Sequence, residues 1–152
     1  MRWPSALFLT LMLMVSGAFA AETSAHVYKV LPQYLDTNGV ASLSPSLYDR
    51  DAYQAILMHH PEKRGGLQFM VQWKGPHSDS LKIRVEARGI VVGEKVQTLE
   101  LEQPVTRHGW FSQWTALVPT AEQFKELGTL TAWRVTLWDG DTQLAEQRSF
   151  VW

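Results

Sequence analysis

The sequence predicts a mostly β protein, an antiparallel β-sandwich of about seven strands with one short helical insert near residues 45–60. Three observations carry this reading. Apolar and polar residues alternate at period two through 67–73 and again through 81–88, the pattern of strands with one dry and one wet face. Turn signals recur between the apolar segments, at Asp36-Thr37-Asn38-Gly39, Gly75-Pro76-His77-Ser78-Asp79 and Asp139-Gly140-Asp141-Thr142. Only one long stretch, 43–60, has a helical period. The chain's 152 residues, 45% hydrophobic and 19% charged, are one domain's worth of ordinary globular sequence.

Residues 26–35 (HVYKVLPQYL) form the first strand. Pro32 lacks an amide donor, which makes this an edge strand or a strand with a break. In 43–60 (LSPSLYDRDAYQAILMHH), Ser44-Pro45 offers a cap followed by proline at the first helical position, and Ser46 with Asp49 offers an overlapping start. Tyr48, Ala52, Ala55, Ile56 and His59 recur at helical spacing and define the expected buried stripe. Pro61 and Gly65-Gly66 end the connection. Leu67, Phe69, Val71 and Trp73 then share one face. Leu81, Ile83, Val85 and Ala87 do the same against Lys82, Arg84, Glu86 and Arg88, so the two strands pair antiparallel.

A following strand at 94–102 turns Leu99 and Leu101 inward and Thr98, Glu100 and Glu102 outward. Residues 109–118 (GWFSQWTALV) read as an aromatic-rich strand, and 121–127 as a short helix ended by Gly128. The last strands, 130–138 and 143–151, flank a hairpin turn at 139–142. Trp133, Val135 and Leu137 share the inward face of the first. In the second, Leu144 and Phe150 have the same parity as Glu146 and Arg148. A bulge near Gln147, or an exposed edge carrying a Glu146–Arg148 pair, removes that conflict.

Residues 1–20 (MRWPSALFLTLMLMVSGAFA) have the form of a signal peptide: Arg2, an apolar run over 6–15 broken only by Thr10, and Ala18-Phe19-Ala20 before the cut. The run is shorter than the roughly 18 residues a membrane span needs. The expected mature chain is a single β-sandwich domain over 21–152, with no transmembrane span, in the periplasm or outside the cell.

Composition and motifs exclude several classes of chemistry. The balance of 14 basic and 15 acidic residues argues against nucleic acid as the main partner. Without cysteine there is no disulfide framework, thiol nucleophile or thiolate metal site. His59 and His60 are adjacent and diverge on a helix, while Asp51 and His59 lie two turns, about 12 Å, apart. Glu100/Glu102 and Asp139/Asp141 offer two carboxylates each, short of a calcium shell. There is no Gly-x-Ser-x-Gly elbow and no phosphate loop. No metal, cofactor or catalytic residue is implied.

The informative excess is tryptophan, at seven residues. Trp73 and Trp133 lie on apolar faces and belong to the core. Trp110, Trp114, Trp138 and Trp152 are less constrained, and Trp138 sits on the polar side of its strand beside Arg134. Exposed rings on a sandwich stack on sugars or anchor protein contacts. The candidate binding residues are therefore Trp138, Trp114, Trp110 and Arg134. Tyr48, Arg50 and Asp51 join them at the helix start SLYDRDAYQ, either pinning the insert to the sandwich or forming a recognition ridge.

With its closing segment WRVTLWDGDTQLAEQRSFVW, the strand order over 67–152 resembles immunoglobulin-like and fibronectin type III-like sandwiches of secreted bacterial proteins. The resemblance rests on strand rhythm. The chain departs from the pattern in having no cysteine pair, no tyrosine corner and a helix at 45–60.

These features imply an exported, non-catalytic binding or scaffolding domain of the cell envelope, with an envelope protein or a polysaccharide as partner. A carbohydrate- or cell-wall-binding module working through exposed Trp is the sharper alternative. A small secreted enzyme or inhibitor built on the insert is the alternative from another class. Strand addition at the first or last strand is a third route to a partner.

Overall fold

The computed structural model describes residues 25–93 and 95–152, so the segment 1–20 expected to be a signal peptide lies outside the described residues. Seven strands run in chain order: β1 His26–Asp36, β2 Arg64–Lys74, β3 Leu81–Ile90, β4 Val96–Pro104, β5 Gln113–Leu117, β6 Thr129–Asp139 and β7 Thr142–Arg148. Helix α1, Leu47–His59, and a 3-10 turn, Pro61–Lys63, lie between β1 and β2; helix α2, Ala121–Leu127, lies between β5 and β6. The strands form two antiparallel sheets, ordered β1-β2-β5 and β4-β3-β6-β7. This is the expected β-sandwich.

Between the sheets, Phe69, Val71 and Trp73 of β2 meet Ile83 and Val85 of β3 and Val135 and Leu137 of β6, all at 0% exposure. Each such side chain contributes about 1.5–3 kcal/mol by leaving water. Trp133 is half-buried and packs against this cluster. Leu99 and Leu101 do so from β4.

Of the two readings of Pro32, the edge strand holds: Pro32 pairs with Phe69 inside the β1–β2 register, and β1 is the edge of its sheet. Several other features differ from the sequence reading, each for a local reason. Strand β2 starts at Arg64 and includes the glycine pair. A Cβ on Gly65 would lie 2.4 Å from the Asp36 carbonyl oxygen, so glycine alone permits this approach. The bulge in β7 falls at Leu144, not near Gln147, because Leu137 pairs with Ala145 while Trp138 pairs with Gln143. It turns Glu146 and Arg148 outward, 3.8 Å apart, and leaves Phe150 fully exposed beyond the strand end. Gln147 then stands opposite Val135 on the inner side, its Oε1 buried without a partner among the described residues. Strand β5 is only five residues long and excludes Gly109-Trp110-Phe111-Ser112.

The helix α1 starts at the second of its two expected caps, with Ser46 Oγ accepting from the Asp49 amide. Its packed face is not the expected stripe. Tyr48, Ala52, Ala55, Ile56 and His59 are exposed, while Tyr53, Gln54 and Leu57 face the sandwich. Gln54 binds the free edge of β1 like a neighbouring strand. Its Oε1 accepts from the Tyr34 amide and its Nε2 donates to the Tyr34 carbonyl, both at 2.8 Å. Arg64 closes the other end, donating to the carbonyls of Leu57 and Met58 while its guanidinium lies 4.1 Å over the Tyr34 ring.

Asp36 ties the insert to the end of β1. Its carboxylate accepts from the Asn38 and Val40 amides at 2.8 and 2.9 Å and from the Tyr53 hydroxyl at 2.8 Å. The Val40 amide, then the Tyr53 hydroxyl, hold its pKa below the ordinary 3.8, and the same bond to Asp36 raises Tyr53 above 10.0. The signs are opposite. Asp36 lends stability above its ordinary pKa and loses it as pH falls through the depressed folded value. Tyr53 lends stability below 10.0 and loses it as pH rises through its raised value. In urea titrations across pH, Asp36→Asn should flatten the acid limb below about pH 4. An unchanged acid limb would rule Asp36 out as a contributor.

Candidate functional site

The seven residues singled out from sequence fall in three separate places. Trp138 and Arg134 lie on the outer face of the four-stranded sheet, where the polar groups are matched to one another. Arg134 grips Glu86 through two bonds of 2.7 and 2.8 Å. Arg84 reaches Glu102 at 2.9 Å and Glu100 at 3.2 Å, and Lys82 reaches Glu102 at 3.2 Å. The Arg84 bond, then the Lys82 bond, hold the Glu102 carboxyl below its ordinary value. The rings are engaged too. Trp138 lies 5.1 Å from the Arg84 guanidinium and donates to Thr136 Oγ1 at 2.8 Å, and Trp152 packs 4.1 Å from Arg88 and 5.1 Å from Arg134. Beneath this layer Ala132 and Thr136 are buried even though they point away from the core. The face is a closed lattice of cations, carboxylates and rings.

Tyr48, Arg50 and Asp51 lie on α1. Arg50 and Asp51 bond each other at 3.1 Å, with Asp51 largely exposed, and Tyr48 is 83% exposed. Tyr53, in the same helix start, together with Gln54 and Arg64 performs the pinning expected of Arg50 and Asp51. The capping of β1 by Gln54 also occupies part of the edge that strand addition would use.

Trp110 and Trp114 belong to the third place, the start of β5. Two side chains staple the preceding loop. Arg107 donates to the carbonyls of Gly75 and Gly109 at 2.8 and 3.1 Å; Gln113 accepts from the His108 amide at 2.8 Å and donates to the Thr106 carbonyl at 2.7 Å. Gly109 takes the positive φ of 74° that the turn requires. The loop is thereby held with Trp110 and Phe111 at 83% and 85% exposure. Trp114, 44% exposed, stands on the solvent face of the three-stranded sheet and borders an open groove of about 390 Å³ between the edges of β4 and β5.

Register defines what surrounds Trp114. Gln72 pairs with Trp114 on one side and Lys29 on the other, giving a solvent-facing row Lys29–Gln72–Trp114 across three strands. The next row is Leu31–Met70–Ala116, and then comes Gln33 bonded to Gln68 at 3.0 Å. None of these residues carries a carboxylate, unlike the opposite sheet. Sequence reasoning missed Lys29, Gln72 and Phe111. The amide-rich, acid-free outward set of β2 was the available signal for Gln72, and Gly109 before Trp110-Phe111 was the signal for a turn.

Among the described residues no three His, Asp or Glu side chains converge in a way that could hold a metal ion, and no helix is long and apolar enough to cross a membrane. Asp139 accepts from the hydroxyls of Ser78 and Ser80, which lower its pKa in that order and clasp the β2–β3 loop to the end of β6. What the third place can do is bind: stacking from rings, hydrogen bonds from amides, and charge from lysine. No known protein family, curated protein or solved structure matches this chain.

Proposed function

We propose that the chain is an exported, non-catalytic binding domain of the cell envelope, and that the Trp110–Phe111 tip with the adjoining outer sheet face is its contact surface. The single observation that carries this reading is the stapled loop. Arg107 and Gln113 commit their polar groups to holding two large rings in water, where they contribute little to the fold. Rings presented in this way are suited to anchoring a partner. The form of residues 1–20 supports export. The immunoglobulin-like or fibronectin-like kinship belongs to the same proposal and rests on strand rhythm.

The test is binding of the chain from Ala21 to purified cell-wall and polysaccharide fractions, followed by pull-down and Trp fluorescence. Saturable binding is expected, weakened at least about tenfold in the Trp110→Ala/Phe111→Ala variant, since losing one anchor of 1.4 kcal/mol suffices for that factor. The urea midpoint should barely move. Absent binding, or binding indifferent to the two rings, rejects the proposal.

A further inference from the structure

We propose that the outer face of the three-stranded sheet takes an acidic polysaccharide, with Trp114 as the stacking platform and Gln72 as an amide partner. In this assignment Lys29 and Lys74 receive the polymer's negative charge. The proposal rests on the reading of the chain as an envelope-binding domain and names the ligand class of that surface.

Charge complementarity is the first argument. The two outer faces of the sandwich differ in kind. On the four-stranded sheet each carboxylate of the Glu86, Glu100 and Glu102 set already has its cation. On the three-stranded sheet Lys29 and Lys74 face solvent with no carboxylate in ion-pair distance among the described residues. An anionic ligand is attracted to this face and meets no carboxylate in the Lys29–Gln72–Trp114 row or the two rows beside it. The rest of the chain, with its slight acidic excess, keeps that attraction local.

Shape and hydrogen bonding give the class. Adjacent strands lie about 4.8 Å apart, so the row Lys29–Gln72–Trp114 spans about 10 Å of sheet, wide enough for more than one sugar ring. Gln72 donates to Ser112 Oγ at 2.9 Å, which fixes its amide plane and leaves Oε1 directed at no protein donor among the described residues. That oxygen suits a hydroxyl. The exposed Trp114 ring suits the apolar face of a sugar. At the far side of the row Tyr28 sits in the β1 bulge, 49% exposed, with its ring 5.5 Å from that of His26. Nucleic acid fits less well, since two lysines and a histidine release few counterions.

The experiment measures affinity electrophoresis and Trp fluorescence of the chain from Ala21 against polygalacturonate, alginate and hyaluronate, with dextran as the neutral polymer. The expected result is salt-sensitive binding to at least one acidic polymer and none to dextran. Lys29→Gln/Lys74→Gln should weaken it about tenfold and reduce its salt dependence. Trp114→Ala should remove the fluorescence response, with circular dichroism checking the fold; the lysine variant, altered only at the surface, tests the proposal independently of Trp114. Equal binding to dextran, or acidic-polymer binding untouched by the lysine changes, overturns the assignment. So does silence with all the acidic polymers. If wall-fraction binding through Trp110 and Phe111 persists in that last case, only the ligand class is wrong. If it is lost as well, the envelope reading fails with it.

Discussion

Trp73→Ala is expected to cost about 3–5 kcal/mol, the range for removing a large ring from a core that cannot collapse around the gap. Trp73 is fully buried at the meeting of both sheets, beside Leu81 and Leu137. Against a typical domain stability of about 5–15 kcal/mol, the loss brings the protein close to unfolding at room temperature. A urea titration read by circular dichroism measures it, and a cost under about 2 kcal/mol would mean that the core is not centred there. Trp73→Phe separates volume from hydrogen bonding. The indole N–H donates to Thr115 Oγ1 at 2.9 Å, and Trp73 is the partner of Gln113, the first residue of β5. β5 is five residues long and pairs on one side only, so this bond helps to hold it against β2. The phenylalanine variant should therefore lose about 1–2 kcal/mol, and it should weaken binding at Trp114 disproportionately because that side chain rides on β5.

The sandwich was legible in the sequence where burial is one-sided. Phe69, Val71 and Trp73 alternate with Gln68, Met70 and Gln72, and the register that one buried face imposes leaves no other arrangement for them. The parity conflict in the last strand was legible too, because burying Glu146 or Arg148 unpaired is too costly; only the position of the bulge was hidden. Helix α1 misled for the opposite reason. Hydropathy looks for apolar residues at helical spacing, while this helix docks through Tyr53 and Gln54, whose partners are Asp36 and the backbone of Tyr34. Nothing local to residues 45–60 announces those partners.

The tryptophans divide in the same way. Trp138 and Trp152 look free in sequence, but their faces are covered by Arg84, Arg88 and Arg134, which arrive from other strands. Trp110 reads as strand because aromatic residues favour strands, and Arg107 and Gln113 override that preference by stapling the loop. The row Lys29–Gln72–Trp114 exists only through the pairing of β1, β2 and β5. Each member is ordinary by itself.

Gly89→Ala should be nearly as damaging as the loss of Trp73, although it adds a single methyl group. A Cβ at Gly89 would stand 2.2 Å from the Leu127 carbonyl oxygen and 2.8 Å from its Cγ. Leu127 is 1% exposed and ends α2, so the obstruction falls on backbone and on a locked core side chain, neither of which can swing away. Gly128, at φ +71°, has the mirror-image problem: its Cβ would meet the Ile90 carbonyl oxygen at 2.5 Å. The two glycines let the last turn of α2 lie directly on the end of β3, at the register shift between Arg88 and Gly89. The expected cost of Gly89→Ala is about 3 kcal/mol, the upper part of the range for overpacking. Gly93→Ala is the control for the backbone conformation. Its φ of +84°, like that of Gly128 and unlike Gly89, is unfavourable for alanine, but a Cβ there meets nothing within 4 Å, so its cost should stay near 1 kcal/mol. Combining Gly89→Ala with Gly128→Ala should cost clearly less than the sum, because either substitution alone lifts α2 from the same contact. A strictly additive pair would mean that the two clashes relax independently and that the close approach is not shared. This contact lies at the opposite end of the sheets from Trp110 and Trp114, since β3 begins beside Asp139 and ends at Ile90. The folded fraction of Gly89→Ala should therefore bind as the unaltered protein does, and a parallel loss of affinity would tie the recognition face to α2.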